Sequence, residues 1–286
     1  MVRVAVVQAG SVAFDAVASL QRAVALMADA ASRGVELAVF PEAFLGGYPK
    51  GHDFGARVGI RTPEGRKEFR RYFENAISIP GPETAALGGA CREHGMQLVI
   101  GVIERDGGTL YCTVIFIDAS GALLGKHRKV MPTAMERLIW GFGDGSTLPV
   151  FSTPQGRVGA VICWENYMPL LRAHMYAKGI QLYCAPTVDD RDTWQPTMRH
   201  IALEGRCFVL SACQCVPEGE TAAIRGGSVI VSPLGRVLAG PAYGEECILT
   251  ADLDLGEIAE GKYDLDVVGH YLRPDIFRLT VDETPR

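Results

Sequence analysis

The 286-residue chain is long enough to bury a sizeable core, and its 48% apolar fraction leaves no polar gap that would read as disorder. A formal net charge of −5 and a sequence pI near 5.7 exclude a broad nucleic-acid or polybasic membrane surface, and the one basic cluster, Lys126-His127-Arg128-Lys129, is too short to supply either. No apolar run reaches the ~18 residues of a membrane span, and MVRVAVVQAG lacks the build of a secretory signal. The eight cysteines sit mostly in apolar strand runs with no C-x-x-C pair, which predicts reduced thiols in a cytoplasmic protein without a metal or other cofactor.

In chain order, Arg3 to Gln8 reads as a strand. Asp15 to Ser32 reads as an amphipathic helix stopped by Gly34, and Leu37 to Phe40 as a second, buried strand ending in Pro41-Glu42. The glycine-rich stretch from Ala43 to Pro63 is too long for a plain connection and reads as a functional loop, closing over substrate or meeting another subunit. Helices follow at Glu64 to Ala76 and Thr84 to His94. Then comes a hairpin of Gln97 to Glu104 and Thr109 to Ile117 about Asp106-Gly107-Gly108, and a strand from Leu123 to Arg128. Lys129 to Leu148 is a second irregular stretch. Short strands at Val150 to Ser152 and Val158 to Ile162 lead to Cys163, and Pro169 opens a helical pattern running to Lys178. Ile180 to Ala185 is another buried strand. Arg191 to Arg206 suits a helix with Trp194, Met198 and Ile201 on one side, and strands follow at Phe208 to Ala212, Gly227 to Val231, Val237 to Leu238 and Cys247 to Leu253. A short helix from Asp254 to Lys262 precedes an irregular tail from about residue 270.

The chain echoes itself. Gly34-Val35-Glu36-Leu37 runs to Pro41 with the same spacing as Gly179-Ile180-Gln181-Leu182 runs to Pro186, each after a strand and a helix. Two such βαβ halves predict one domain over residues 1–286, an α/β fold of two mixed sheets packed face to face with helices outside. That is a four-layer α-β-β-α sandwich; a single doubly wound sheet fits the element order almost as well.

Three strand ends carry residues with complementary chemistry. Glu42 leaves a buried strand, Lys129 ends another, and Cys163 closes a short apolar run at a turn before a helix, the way α/β enzymes present a nucleophile. Alone, each has a plain alternative: a solvated surface acid, a surface cation, a small core hydrophobe. Together they supply a thiol nucleophile, a carboxylate base, and a cation that with the backbone N–H after Cys163 steadies developing negative charge.

The motifs FPEAF, HRKVMPT and CWENYMP resemble the Glu–Lys–Cys signatures of the nitrilase, or carbon–nitrogen hydrolase, superfamily. With PEAFLGGYPKG, MERLIWGFGDGST and LEGRCFVLSACQ, they look like the branch of plant-type and related bacterial nitrilases. The resemblance implies a nitrilase fold, Glu42 as general base, Lys129 as the charge-stabilising lysine, Cys163 as nucleophile, and a second glutamate, Glu136, that positions substrate or lysine and assists proton transfer. It also implies hydrolysis of an organic nitrile to a carboxylic acid and ammonia through a thioimidate and thioester, with an amide as side product. Tyr48, Trp140 and Trp164 should line or border the substrate pocket, with Phe54 and Trp194 as further candidates. An aromatic pocket favours aryl or arylaliphatic nitriles. The alternatives are a β-cyano-alanine-type nitrilase/hydratase, an amidase of the same fold, and a non-catalytic interaction module. The family resemblance further implies a small-molecule nitrile as partner and self-association as a dimer or higher oligomer. About a dozen residues follow Pro274, where many family members carry a long extension that contributes to helical assemblies.

Overall fold

Local chemistry sets most element boundaries in the computed structural model, which describes residues 1–219 and 221–286. After strand β1 (Val2–Gln8), helix α1 (Ala16–Ser32) starts where the Asp15 carboxylate accepts the Ala18 N–H. Strand β2 is Leu37–Val39, and the glycine-rich stretch that follows carries a small hairpin of β3 (Ala56–Arg57) and β4 (Ile60–Arg61). Helix α2 (Pro63–Glu74) is capped by Thr62 with proline in its first turn, and α3 (Pro82–His94) ends on Gly95 in the left-handed region. The sheet strands β5 (Gln97–Asp106), β6 (Thr109–Ile117) and β7 (Leu123–Arg128) form a meander. Next come β8 (Val150–Thr153), β9 (Gly156–Ala160), α4 (Pro169–Ala177), β10 (Leu182–Cys184) and α5 (Trp194–Gly205). Strands β11 (Phe208–Ser211), β12 (Cys215–Val216), β13 (Ile224–Val231), β14 (Val237–Tyr243) and β15 (Cys247–Leu253), then α6 (Gly256–Asp264), complete the chain.

Two sheets result. One runs β15-β1-β2-β5-β6-β7, the other β12-β13-β11-β10-β9-β8 with β14 beside β13. Each has a parallel centre, β1-β2-β5 and β9-β10-β11, flanked by antiparallel strands. The centres are the two echoed halves, and Gly34 and Gly179 share a left-handed backbone with φ of 75° and 72°. Three apolar clusters mark the three interfaces of a four-layer sandwich. Between the sheets lie Val4, Val39, Val99, Ile162, Leu182 and Leu210; α1 and α3 cover one outer face through Met27 and Leu87; α4 and α5 cover the other through Met175, Met198 and Ile201. Each such fully buried aliphatic contributes about 1.5–3 kcal/mol. This is the nitrilase-type sandwich; the doubly wound alternative is excluded.

Several boundaries differ from the sequence reading: β9 is Gly156–Ala160 and not Val158 to Ile162, β10 is only Leu182–Cys184, and β3, β4 and β12 were not expected. Strands β13 and β14 are longer than expected, because Gly226, Gly227 and Gly240-Pro241 sit at irregularities within the pairing rather than ending it. Helix α5 starts at Trp194, leaving residues 187–193 as a loop. No described helix is long and apolar enough to cross a membrane.

Candidate active site

The loops that leave β2, β7, β9 and β10 meet at one end of the sandwich. After β2 the chain turns at Pro41-Glu42-Ala43, seated directly on β5: the Gly101 N–H donates to the Pro41 carbonyl and the Phe44 N–H to that of Gly101. A Cβ on Gly101 would fall 2.4 Å from the Pro41 oxygen and 2.6 Å from the Glu42 Cα, so only glycine allows this approach. The Glu42 side chain is completely buried. Its Oε1 accepts from Lys129 Nζ at 2.7 Å and from the Cys112 thiol at 3.4 Å, whereas Oε2 has no hydrogen-bond partner.

Along β7 successive side chains take opposite faces. Lys126 and Arg128 pair with Glu104, while His127 and, just past the strand, Lys129 turn into the protein. The buried Lys129 ammonium also donates to Glu136 Oε2 at 2.9 Å and lies 5.6 Å from the centre of the Trp140 ring. Glu136 stands on a 3-10 turn, Ala134–Leu138, where the Thr133 N–H donates to its Oε2 and the Tyr48 hydroxyl to its Oε1 at 2.7 Å.

Cys163 follows β9 at φ +48°, a left-handed conformation that a side chain adopts only when its surroundings impose it. Its N–H is tied to the Pro186 carbonyl, and Asn166 Nδ2 holds its carbonyl and that of Val161. The buried thiol accepts from the Thr187 hydroxyl at 3.2 Å. The 3-10 turn Cys163–Tyr167 is locked from within by Glu165. Its Oε2 accepts from the Ile162 N–H and from His127 Nε2, and its Oε1 from the Val130 N–H, so one carboxylate braces the residue before Cys163 to the residue after Lys129.

Burial and mutual charge set the protons. Burial pushes the Cys163 thiol well up, the Glu42 carboxylate adds to that, and Lys129 opposes it. Burial also raises Glu42, against the pull of Lys129. For Lys129 burial acts downward, but Glu42 and its anionic neighbours outweigh it and hold the ammonium well above its ordinary value. The resting centre is therefore a neutral thiol, a cationic lysine and a carboxylate more basic than usual.

A cavity of about 370 Å³ opens onto the thiol, lined by Tyr48, Lys50, Thr133, Glu136, Cys163, Trp164, Val188, Asp189, Asp190 and Arg191. A larger depression, about 560 Å³, lies near Gly10 and Cys215 and contains none of the four candidate catalytic residues. Of the five aromatic candidates, Tyr48 and Trp164 line the thiol cavity. Trp140 is buried behind Lys129, its Nε1 donating to the Tyr72 hydroxyl, with its ring 5.8 Å from that of Tyr48. Phe54 and Trp194 are elsewhere. Phe54 packs in an aromatic cluster with Phe14, Phe69 and Tyr72, and Trp194 is fully buried on α5, donating to the Ser211 hydroxyl. Neither is brought to the cavity.

The sequence reading missed the charged rim. Asp189 accepts from Trp164 Nε1 at 2.9 Å and from the Arg191 guanidinium, which stacks 4.5 Å from the Trp164 ring centre; Lys50 stands 3.7 Å from Asp190. It also missed Thr187. The echo held that signal: it pairs Pro41-Glu42 with Pro186-Thr187, so the second half carries a hydroxyl where the first carries its acid. Among the described residues no group of three or more His, Cys, Asp or Glu side chains is arranged to hold a metal ion.

A carbon–nitrogen hydrolase family model matches residues 3–263. An aliphatic nitrilase of Sinorhizobium fredii is 59% identical over 99% of this chain and 96% of its own length. A bifunctional nitrilase/nitrile hydratase of Nicotiana tabacum is 57% identical over 98% and 86%. Among solved structures, an amidase from Nesterenkonia sp. superposes with a TM-score of 0.72 at 23% identity, covering 92% of this chain and 94% of that one, which establishes the shared fold. Matched along almost its whole length, the chain belongs to the carbon–nitrogen hydrolase family, in the branch of the plant and bacterial nitrilases.

Proposed function

We propose that this protein hydrolyses an organic nitrile to a carboxylic acid and ammonia, with Cys163 as nucleophile, Glu42 as general base, Lys129 as electrostatic stabiliser, and Glu136 as the group that positions Lys129. The observation that carries the reading is a buried carboxylate that holds an ammonium at 2.7 Å, keeps one oxygen unoccupied and interacts with the strained, buried Cys163 thiol. Because the thiol is held neutral, attack requires a base, and the raised Glu42 is suited to it. Glu42 Oε2 takes the thiol proton as sulfur bonds the nitrile carbon. The electron pair displaced onto nitrogen takes that proton, giving a thioimidate. Glu42 then draws a proton from water as the oxygen adds to the same carbon. Glu42 passes that proton to nitrogen, giving a tetrahedral adduct with a hydroxyl and an amino group. As the C=O forms, the hydroxyl proton moves through Glu42 to nitrogen, which leaves as ammonia, and a second water hydrolyses the thioester to the acid and returns the thiol. Lys129, already on the carboxylate pair, is the group that stabilises the negative charge as it develops, and the backbone N–H after Cys163 is the second candidate donor. If the first tetrahedral intermediate expels sulfur instead of ammonia, an amide is released.

For the substrate, Tyr48 and Trp164 support the aryl or arylaliphatic nitriles expected from the sequence. A second reading, a short nitrile with a polar or charged end, is favoured by the Lys50, Asp189, Asp190 and Arg191 rim. The names of the relatives, one an aliphatic nitrilase and one a bifunctional nitrilase/nitrile hydratase, accord with a small nitrile and with some amide release. Self-association as a dimer or higher oligomer is part of this proposal, and light scattering tests it. The deciding experiment measures ammonia, acid and amide from aryl, arylacetic, aliphatic and cyano-amino-acid nitriles and their matched amides, with Cys163→Ala alongside. Acid and ammonia from nitriles, lost in that variant, support the proposal. Turnover of amides alone moves the chain to an amidase role, and no turnover at all revives the non-catalytic module.

A further inference from the structure

Thr187 is fully buried at the end of β10, and its hydroxyl has a fixed direction. Its oxygen accepts the Asp189 N–H at 2.9 Å, which leaves its single proton for the Cys163 sulfur, 3.2 Å away. The backbone is held equally firmly: the Thr187 N–H donates to the Ala212 carbonyl, and Asp189 is anchored by Trp164 and Arg191. The hydroxyl therefore presents a pre-oriented donor to the sulfur, and it cannot turn away without giving up an acceptor contact in a buried site.

We infer that Thr187 is a further catalytic residue, donating a hydrogen bond that stabilises the Cys163 thiolate. The inference rests on the reading of Cys163 as nucleophile. Its chemistry is differential. A thiolate accepts a hydrogen bond strongly, whereas sulfur bonded to carbon in a thioimidate or thioester accepts one poorly. The donor thus favours the moment when the S–H proton passes to Glu42 and, later, the moments when the C–S bond breaks and its electron pair returns to sulfur. The two echoed halves supply complementary groups from equivalent positions: Glu42, after Pro41 at the end of β2, receives the proton, and Thr187, after Pro186 at the end of β10, steadies the sulfur that lost it.

The test is the titration of Cys163 itself, followed by ultraviolet thiolate absorbance as the difference between each protein and the same protein carrying Cys163→Ala. The parent, Thr187→Val and Thr187→Ser are compared. Glu42, Lys129, Glu136, Arg191, Tyr48 and Cys213 all act on the same sulfur and are unchanged throughout, so differences report the hydroxyl. Thr187→Val, which keeps the shape, should move the midpoint up by about one pH unit, and Thr187→Ser should restore it. Thr187→Ala repeats the comparison if the valine variant does not fold. Coincident titrations of Thr187→Val and the parent, or equal shifts in the valine and serine variants, overturn the inference. Failure of the underlying reading looks different: Cys163→Ala would then retain nitrile turnover whatever Thr187 does.

Discussion

Two buried carboxylates lie at the same end of the sandwich, each paired with a cation from the end of β7, and they are provisioned in opposite ways. Glu165 meets His127; Glu42 meets Lys129, two residues further on the same face. All four side chains are withdrawn from solvent. Glu165 has donors on both oxygens, two of them backbone N–H groups. Glu42 has its donors on Oε1 and none on Oε2, which faces a buried interior without compensation. A fully supplied carboxylate is a brace, stable and unreactive. One left short is costly to hold ionised, and its basicity rises. Depth of burial is alike, so the difference between holding the site together and carrying a proton comes from donor supply and from the second carboxylate, Glu136, that shares Lys129 with Glu42.

Exchanging each acid for its amide is the most severe way to test that contrast. Glu42→Gln should lower kcat by about 10³-fold or more, as removal of a general base does, while lowering the urea midpoint less than Glu165→Gln does, because Lys129 keeps Glu136 as a counter-charge. Cys163→Ala should abolish turnover altogether. Glu165→Gln should do the reverse. It strands His127 without its counter-charge, and breaking a buried pair this way costs about 3–5 kcal/mol, read as a lower urea midpoint. Equal stability losses in the two glutamine variants would erase the distinction. Gly101→Ala comes next: a methyl group driven against Pro41 and Glu42 should reduce kcat through displacement of the base, with far-ultraviolet circular dichroism unchanged.

The brace and the base were unequally legible in the sequence. Glu42, Lys129 and Cys163 end apolar strands, and three separated motifs in order gave them meaning. Glu165 lay inside one of those motifs with no visible partner, since its contact with His127 joins residues 38 apart through folding alone. The alternation of β7, with His127 and Lys129 on one face, was the available clue. The sandwich was readable because the Gly-to-Pro spacing repeats. The aromatic candidates were less so, because nearness to a motif in sequence does not give a side chain's direction. Trp194, carried as a pocket candidate, shares the helical stripe of Met198 and Ile201, and that stripe packs into the core. In the rim, residues 191–193 were read as the start of the helix, and Asp189 and Asp190 lay between elements with no visible partner; Asp189 binds Arg191 and Trp164 there, and the helix begins only afterwards.

The pH dependence sharpens the contrast more gently. His127 has one nitrogen on the Thr147 carbonyl and the other on Glu165; both acceptors call for N–H, so the ring is doubly protonated in the fold. Burial alone would lower its pKa, but the Glu165 charge and hydrogen bond raise it above 6.5. A folded value above the unfolded one means that the stabilisation is complete below about pH 6.5 and fades as pH rises through the folded pKa. Stability of the parent should therefore fall as pH rises above about 6.5, and His127→Gln should flatten that slope. The rate should respond at the other end of the scale. As pH falls, protonation of Glu42 removes the base, so kcat/KM should decline at a pH above the ordinary carboxylate range.

The smallest effect concerns Tyr48, whose hydrogen bond reaches the reactive cluster through Glu136. Its hydroxyl donates to Oε1 of that residue, whose other oxygen holds Lys129. Tyr48→Phe keeps the ring against Trp140 and removes one hydrogen bond, worth about 0.5–1.5 kcal/mol, so kcat should fall only several-fold. KM should change little if the ring, and not the hydroxyl, meets the substrate. A loss as large as that of Glu42→Gln would make Tyr48 a participant in proton transfer, and the difference between a supplied carboxylate and a starved one would then extend to Glu136.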